Sequence, residues 1–322
     1  MTSSSGDLHV VFGAGPVGLA IAEQLLSNDR RVRVVSRAGR PDDADPIPDG
    51  AVEWAALDVV DLDAAIEAAA GAAVVYFALN PPYHLWPELF PTLQRHTVEA
   101  ATRAGARLVV MENLYMFGPT GGAPLSEDQS FSATTRKGRV RAAMHLELMA
   151  AHQRGDVLVA VGRASDFFGP RARKSAGGEQ VVRAAISRGR AQVLGDPDLP
   201  HTFTYVPDIG RALVTLGDRD EALGRAWHLP AAETVSTRAF VQLLCDAAGS
   251  GEARLQAAPK LLLRAVGLFN RDVRELVEMV YEFEEPFIVD HSAYVEAFGD
   301  HSTPLDAAAR TTVEWFRGHP EG

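Results

Sequence analysis

The sequence predicts a doubly wound α/β protein, a parallel sheet with crossover helices followed by a smaller, mostly helical lobe. Three observations predict it. Short β-rich runs alternate with helical stretches through the first half of the chain. A glycine-rich turn in "VVFGAGPVGLA" (10–20) joins the first run to the first helical stretch. Beyond Gly162 the alternation loosens and helical patterns dominate.

Taken in order, strands are expected at "LHVVF" (8–12), "RVRVVS" (31–36), "VEWAAL" (52–57), "AAVVYFA" (72–78), "RLVVM" (107–111) and "VLVAVG" (157–162). Helices are expected between them, near 16–28, 61–70, 87–105 and 138–153, which is the pattern of parallel strands linked by crossovers. The acidic, proline-rich "GRPDDADPIPDG" (39–50) reads as a solvated loop. Further on, "FFGPRARKSAGGEQ" (167–180) reads as loop, "QVVRAAISRG" (180–189) as helix and "AQVLG" (191–195) as a short strand. More helices are expected near 207–218, 236–248, 258–269 and 305–317. Residues 1–163 then form a dinucleotide-binding domain, to which 202–228 and 286–290 return, and 164–201 with 229–322 form most of a substrate-binding lobe. Loop 171–180, with two glycines and several charges, is expected to act as a lid.

Composition excludes several function classes. A chain of 322 residues, 47% apolar, can bury a large core. Its net charge of −11 repels phosphate backbones and anionic lipid surfaces, and no dense basic run with interleaved aromatics occurs, so nucleic acid is not expected as a partner. The start, "MTSSSGDLHV", lacks a basic segment followed by a long apolar run, and no stretch reaches membrane-spanning length. A soluble, cytoplasmic protein is expected. One cysteine, Cys245 in "FVQLLCDAAG", rules out an internal disulfide and reads as a small buried hydrophobe.

The glycine turn carries the first chemistry. Gly13, Gly15 and Gly18 stand as G-x-G-x-x-G directly after a strand and before a helix, with Pro16 and Val17 inside the motif. This is the dinucleotide fingerprint of a Rossmann sheet: Gly13 permits the tight turn, Gly15 admits a pyrophosphate and Gly18 allows close packing of helix on strand. Enzymes that prefer NAD commonly end the second strand in an acid, whereas "RVRVVSRAGR" ends in Ser36 and Arg37. A hydroxyl and a guanidinium suit a 2′-phosphate, so NADP(H) is expected ahead of NAD(H). The alternative is that Arg37 and Arg40 are solvated charges.

Together these residues resemble the extended and atypical short-chain dehydrogenase/reductases, the superfamily of the NAD-dependent epimerase/dehydratases, over nearly the whole chain. "LDVVD" (57–61) is similar to the family's segment after the third strand, which implies that Asp58 meets the adenine and Val59 packs against it. "FALNPP" (77–82) is similar to the fourth-strand tip, implying that Ala78, Leu79 and Asn80 line the nicotinamide ribose. "GRASDFFGP" (162–170), "FTYVPDIGRAL" (203–213) and "TTVEWFR" (311–317) resemble later family segments in the same order. The resemblance also implies a homodimer through the helices near 87–105 and 138–153.

Two departures bear on chemistry. Where the family carries a catalytic Ser or Thr, "ENLYMFG" places Asn113. Where it carries Tyr-x-x-x-Lys, "TTRKGRVRAAMHLELMAAH" has no tyrosine, and Lys137 and Arg141 take the two positions. The usual proton donor is absent. Tyr115, at the offset where the family's sugar dehydratases place an acid–base glutamate, is expected to replace it, with Asn113 orienting the substrate oxygen. Lys137 is expected beside the phenol and the cofactor ribose, Arg141 as a reserve charge, and Glu112 as a cap for local backbone donors.

Three readings follow. The first is an NADP(H)-dependent oxidoreductase reducing a C=O or activated C=C of a small apolar or aromatic substrate, lined by Tyr83, Trp86, Phe167, Phe168 and Phe203, each of which is equally a core candidate, and by His201, whose alternative is a surface-loop histidine. The second is an NAD(P)-dependent sugar-nucleotide epimerase or dehydratase using Arg171, Arg173 and Lys174. The third is an NADP-binding regulator without chemistry. His145 and His152 are seven residues apart without an H-E-x-x-H spacing, so no metal is expected. No G-x-S-x-G elbow occurs.

Overall fold

A computed structural model describes residues 6–257 and 277–320. The helix expected near 258–269 lies outside them. The chain divides into two compact units, Met1–Glu112 with Val140–Arg163 and Ile209–Trp227, and Asn113–Arg139 with Ala164–Asp208 and His228–Gly322. Residues 113–139, expected in the first domain, and 202–208 and 286–290, expected to return to it, cluster with the second unit instead.

The first unit is built on strands β1 (Leu8–Phe12), β2 (Arg31–Ser36), β3 (Glu53–Ala56), β4 (Ala72–Phe77), β5 (Arg107–Glu112) and β6 (Leu158–Arg163). Val10, Val11, Phe12, Val34, Val75, Val110, Val159 and Val161 are fully buried, as in a parallel sheet covered on both faces. Helices α1 (Pro16–Ser27), α2 (Leu62–Ala69), α3 (Trp86–Ala104) and α4 (Arg136–Gln153) follow the expected spans within a few residues. The strand order is β3, β2, β1, β4, β5, β6, with a seventh strand, Ala226–His228, outside β6. β1 pairs in parallel with both β2 and β4, Phe12 lying opposite Val35 and Phe77. The order reverses there, and ligands of such sheets bind at that switch, beyond the strands' C-terminal ends. On the outer side, β5 and β6 pair so that Glu112 faces Arg163.

Helices Glu179–Ser187, Thr237–Ala248 and Leu305–Gly318 form the second unit's core, closing on Phe168, Phe203, Tyr205, Phe240, Leu244 and Phe316. Short strands tie its loops together. Asp166–Phe168 pairs in parallel with Phe203–Tyr205, and Pro200–His201 pairs antiparallel with Val235–Ser236. The segment 171–180 is packed rather than loose: Arg173 bonds to Glu179 and stacks over Trp315 at 5.0 Å, and a Cβ on Gly178 would lie 2.0 Å from the Ala172 carbonyl oxygen. Those contacts oppose the expected lid, because opening the loop would break them. Among the described residues no helix is long and apolar enough to cross a membrane.

Candidate active site

The cofactor cradle is made by backbone. Gly13, at φ +116°, lies in a region L side chains rarely adopt, and a Cβ there would sit 2.6 Å from the Ala78 carbonyl oxygen. A Cβ on Gly18 would lie 1.9 Å from the Gly13 carbonyl oxygen, so only glycine lets α1 approach the turn. At Gly15 the reverse holds, with nothing within 4 Å of an added Cβ. Gly15 is also the N-cap of α1, carries no side-chain cap, and precedes Pro16 at the helix start. The helix's first N–H groups are therefore left for an anion, and space for a pyrophosphate lies in front of them. A dinucleotide fits this cradle. Val17 is buried beneath it.

The other residues expected around the cofactor lie in the same unit, except Lys137, which belongs to the second. Ala78 donates its backbone N–H to Phe12 at 2.9 Å, fixing the β4 tip beside Gly13, with Leu79 half-buried and Asn80 exposed. Ser36 at the β2 tip donates its hydroxyl to the Gly39 carbonyl at 2.7 Å. Arg37, next to it, is exposed and forms no ion pair among the described residues. Arg40 is not available in the same way: it donates to the Ile47 carbonyl at 2.9 Å and pairs with Asp49 at 3.0 Å. Asp58 is exposed, accepting from the Val60 N–H at 3.1 Å, while Val59 is buried and accepts from His96 Nδ1 at 2.8 Å.

At the β5 tip the structure corrects an expectation. Among the described residues Glu112 caps no backbone donor; it is a buried carboxylate whose oxygens lie 3.0 Å from Arg163 Nε, 3.1 Å from His145 Nδ1 and 3.7 Å from Arg141 Nη2. Burial alone pushes this carboxyl up, but the His145 hydrogen bond and the charges of Arg163 and Arg141 more than offset it and hold it at about 2. The parallel register of β5 and β6 delivers Arg163, and α4 delivers Arg141 and His145 one turn apart. Arg141 also stacks over Phe90 at 4.8 Å. Its guanidinium is thus built into this cluster and is not the reserve charge expected of it.

Beyond Glu112 the chain enters the second unit. Asn113 Oδ1 accepts from the Tyr115 backbone N–H at 3.3 Å, closing a turn that holds Tyr115 half-buried ahead of the buried Met116 and Phe117. A Cβ on Gly138 would lie 2.5 Å from the Tyr115 carbonyl oxygen, so the start of α4 abuts this turn. Lys137 beside it is only 1% exposed, and its ammonium lies 2.7 Å from Glu278, whose other oxygen accepts the Lys137 backbone N–H at 3.1 Å. The unneutralised cation expected beside the phenol is therefore an ion pair. Of the expected pocket wall, Trp86 is buried, donating to the Pro81 carbonyl at 2.9 Å and packing on Phe90, with Tyr83 at its edge. Phe168 and Phe203 are core residues of the second unit, Phe168 packing edge-on against Phe240 and Phe203 stacking on it. Phe167 remains half-buried, and His201 is buried in a hydrogen bond to Asp166. Of the cations considered for a diphosphate, Arg171 is buried, Arg173 is tied to Glu179 and Lys174 is exposed. No group of three metal-ligating side chains occurs among the described residues.

Comparison with solved structures shows a shared fold. The NAD-dependent NDP-hexosamine 5,6-dehydratase TunA, involved in tunicamycin biosynthesis, is 20% identical, with 98% of this chain and 99% of that chain covered at a TM-score of 0.74. UDP-N-acetylglucosamine 4-epimerase from Methanobrevibacter ruminantium M1 is 15% identical, covering 98% and 100% at 0.79. UDP-glucuronic acid 4-epimerase from Bacillus cereus, solved with UDP-glucuronic acid and NAD, is 15% identical, covering 97% and 99% at 0.76. The resemblance of the sequence to the extended short-chain dehydrogenase/reductases is thus met by the fold of NAD-dependent epimerases and dehydratases. No curated protein sequence matches the chain. The NAD(P)H-binding family matches residues 13–189, more than half of the sequence and the whole glycine cradle, and this chain belongs to that family.

Proposed function

We propose that this protein is an NADP(H)-dependent enzyme of the epimerase/dehydratase type, acting on a hydroxyl-rich substrate of the sugar-nucleotide class. One observation carries the reading: Trp86, Phe168 and Phe203, which would have made an apolar wall, are core, and the expected pocket residue His201 stands in a polar pair with Asp166. That removes the main reason for an apolar substrate. The likeness of both units to sugar-nucleotide enzymes, over 97–98% of the chain, supports the same reading.

The nicotinamide, when bound, supplies a hydride acceptor or donor. The chain's own residues bind, orient and move the proton. Gly13, Gly15 and Gly18 with the start of α1 hold the pyrophosphate, Arg37 meets the 2′-phosphate, and Ala78, Leu79 and Asn80 border the ribose. Tyr115 gives up or takes the proton of the reacting substrate oxygen, in a turn that Asn113 fixes. A reductase remains the second reading, favoured by Arg37, whose exposed guanidinium suits the phosphorylated cofactor.

Incubation of the protein with NADP+ or NAD+ and a panel of UDP- and dTDP-sugars, followed by NMR of the products, tests this. An epimerised or dehydrated sugar is the expected result; turnover only of small carbonyl compounds with NADPH would establish the second reading instead. Arg37→Ala should weaken NADPH binding on the order of tenfold to a hundredfold, the worth of a hydrogen-bonded charge, and leave NADH unchanged. Equal affinity of the wild type for NADH and NADPH in calorimetry would remove the NADP(H) preference.

A further inference from the structure

The second unit carries an exposed cationic face. Its strand Ala191–Val193 pairs in parallel with Leu255–Ala257, Ala191 lying opposite Leu255 and Gln192 opposite Gln256. The Ala191 N–H donates to the Arg254 carbonyl at 2.8 Å, so the pairing reaches one residue further back, to Arg190 and Arg254. Side chains alternate between the two faces of such a ribbon. Ala191 and Val193 are buried in the unit's core with Leu255 packed against it, whereas Arg190, Gln192, Arg254 and Gln256 are exposed. The outer face therefore presents two rows. One is a pair of arginines, and the next, two residues along, is a pair of glutamines in which Gln192 Nε2 donates to Gln256 Oε1 at 3.3 Å.

Neighbouring strands lie about 4.8 Å apart, and like charges directly opposite each other cost stability. Arg190, Arg254 and the exposed Arg188, which ends the helix Glu179–Ser187, nonetheless form no ion pair among the described residues. Other arginines of the unit are matched: Arg173 and Arg183 by Glu179, and Arg238 by Asp198. The Gln256 amide nitrogen likewise has no acceptor among the described residues. What the two rows offer is donors, and what they lack is an anion.

The geometry points to a docking face for an extended acidic segment of another protein, one carboxylate lying between Arg190 and Arg254 and the carboxylate two residues on lying over the Gln192–Gln256 pair. Alternate side chains of an extended chain are about 6.6 Å apart, the same step that separates the two rows. Guanidinium forks hold carboxylates through paired, charge-assisted hydrogen bonds. A net charge of −11 repels long phosphate backbones and anionic lipid surfaces, which extend far past a face of this size, whereas a segment with two carboxylates fits within it. The chain's own acidic loop is a poor occupant, because Asp45 and Asp49 are already paired with Arg40. The face is independent of the sugar-nucleotide reading above.

Titrating the full-length protein with the capped peptide Thr-Glu-Thr-Glu-Thr, followed by the arginine and glutamine side-chain N–H resonances in NMR, tests it. Shifts are expected at Arg190, Gln192, Arg254 and Gln256. The peptide should bind on the order of tenfold tighter than Thr-Gln-Thr-Gln-Thr, and also tighter than Thr-Glu-Glu-Thr-Thr, whose carboxylates leave an extended chain on opposite sides. Arg190→Gln and Arg254→Gln should each weaken binding on the order of tenfold while leaving the melting temperature unchanged or raised, since each removes the like-charge pair. Arg31→Gln, at an exposed arginine of the first unit, should change nothing. Absence of shifts at these residues, equal affinity for Thr-Glu-Glu-Thr-Thr, or binding that survives Arg190→Gln overturns the proposal. Tighter binding of a short RNA or of phosphatidylglycerol vesicles that is lost in Arg190→Gln also overturns it, and gives the face to a phosphate-bearing partner instead.

Discussion

Replacing Glu112 with alanine should cost the fold roughly 3–5 kcal/mol, the penalty of leaving buried cations without their counter-ion. Arg163 and Arg141 are each 1% exposed, and both face the Glu112 carboxylate from within the same unit. Domains are stable by about 5–15 kcal/mol, so a loss of this size is a large share of the total. The charge is the critical part: Glu112→Gln keeps the volume and should lose most of the same stability. Acid should do reversibly what the mutation does permanently. The folded carboxyl sits at about 2 against an ordinary value of 4.5, so it contributes stability above 4.5 that is lost as pH falls toward 2. Urea unfolding across that window should show the wild type losing stability faster than Glu112→Gln. A variant within about 1 kcal/mol of the wild type at neutral pH would mean that water reaches the arginines and that the cluster does not hold the strand ends.

This cluster also marks where the sequence stops being legible. The sheet was readable because its strands are apolar runs buried on both faces, and the glycine cradle because its spacing follows a strand and precedes a helix. Strand Ala226–His228 was not, since three residues with a tryptophan and a histidine carry no run to recognise. Glu112 and Arg163 each end an apolar strand with a buried charge, and that shared feature was the available signal; the register that places them opposite each other is tertiary. His145, considered only for a metal, joins them through α4. Lys137 finds Glu278 across 141 residues, a distance at which no local pattern speaks. Aromatic residues failed in the opposite direction: Phe168 and Phe203 in the second unit look identical in sequence whether they line a pocket or fill a core, and only packing on Phe240 decides.

Tyr115→Phe should lower turnover on the order of a hundredfold or more while leaving NADPH affinity and thermal stability unchanged. The substitution keeps the bonds that shape the turn. Asn113 holds the backbone N–H of residue 115, Met116 accepts from the Ala133 N–H at 3.2 Å, Ser132 donates to the Phe117 carbonyl, and Gly138 lies against the carbonyl of residue 115. All of these survive in phenylalanine. Lys137, the other protic group at the missing tyrosine's position, has its ammonium engaged by Glu278, and Arg141 will not release a proton. Once a substrate is in hand, Asn113→Ala provides the contrast: it frees the turn without removing the phenol, so it should reduce turnover less than Tyr115→Phe. Full activity in Tyr115→Phe would exclude the phenol from proton transfer. The test would then pass to Glu278→Gln, which releases the Lys137 ammonium, and a rise in turnover there would identify lysine as the donor.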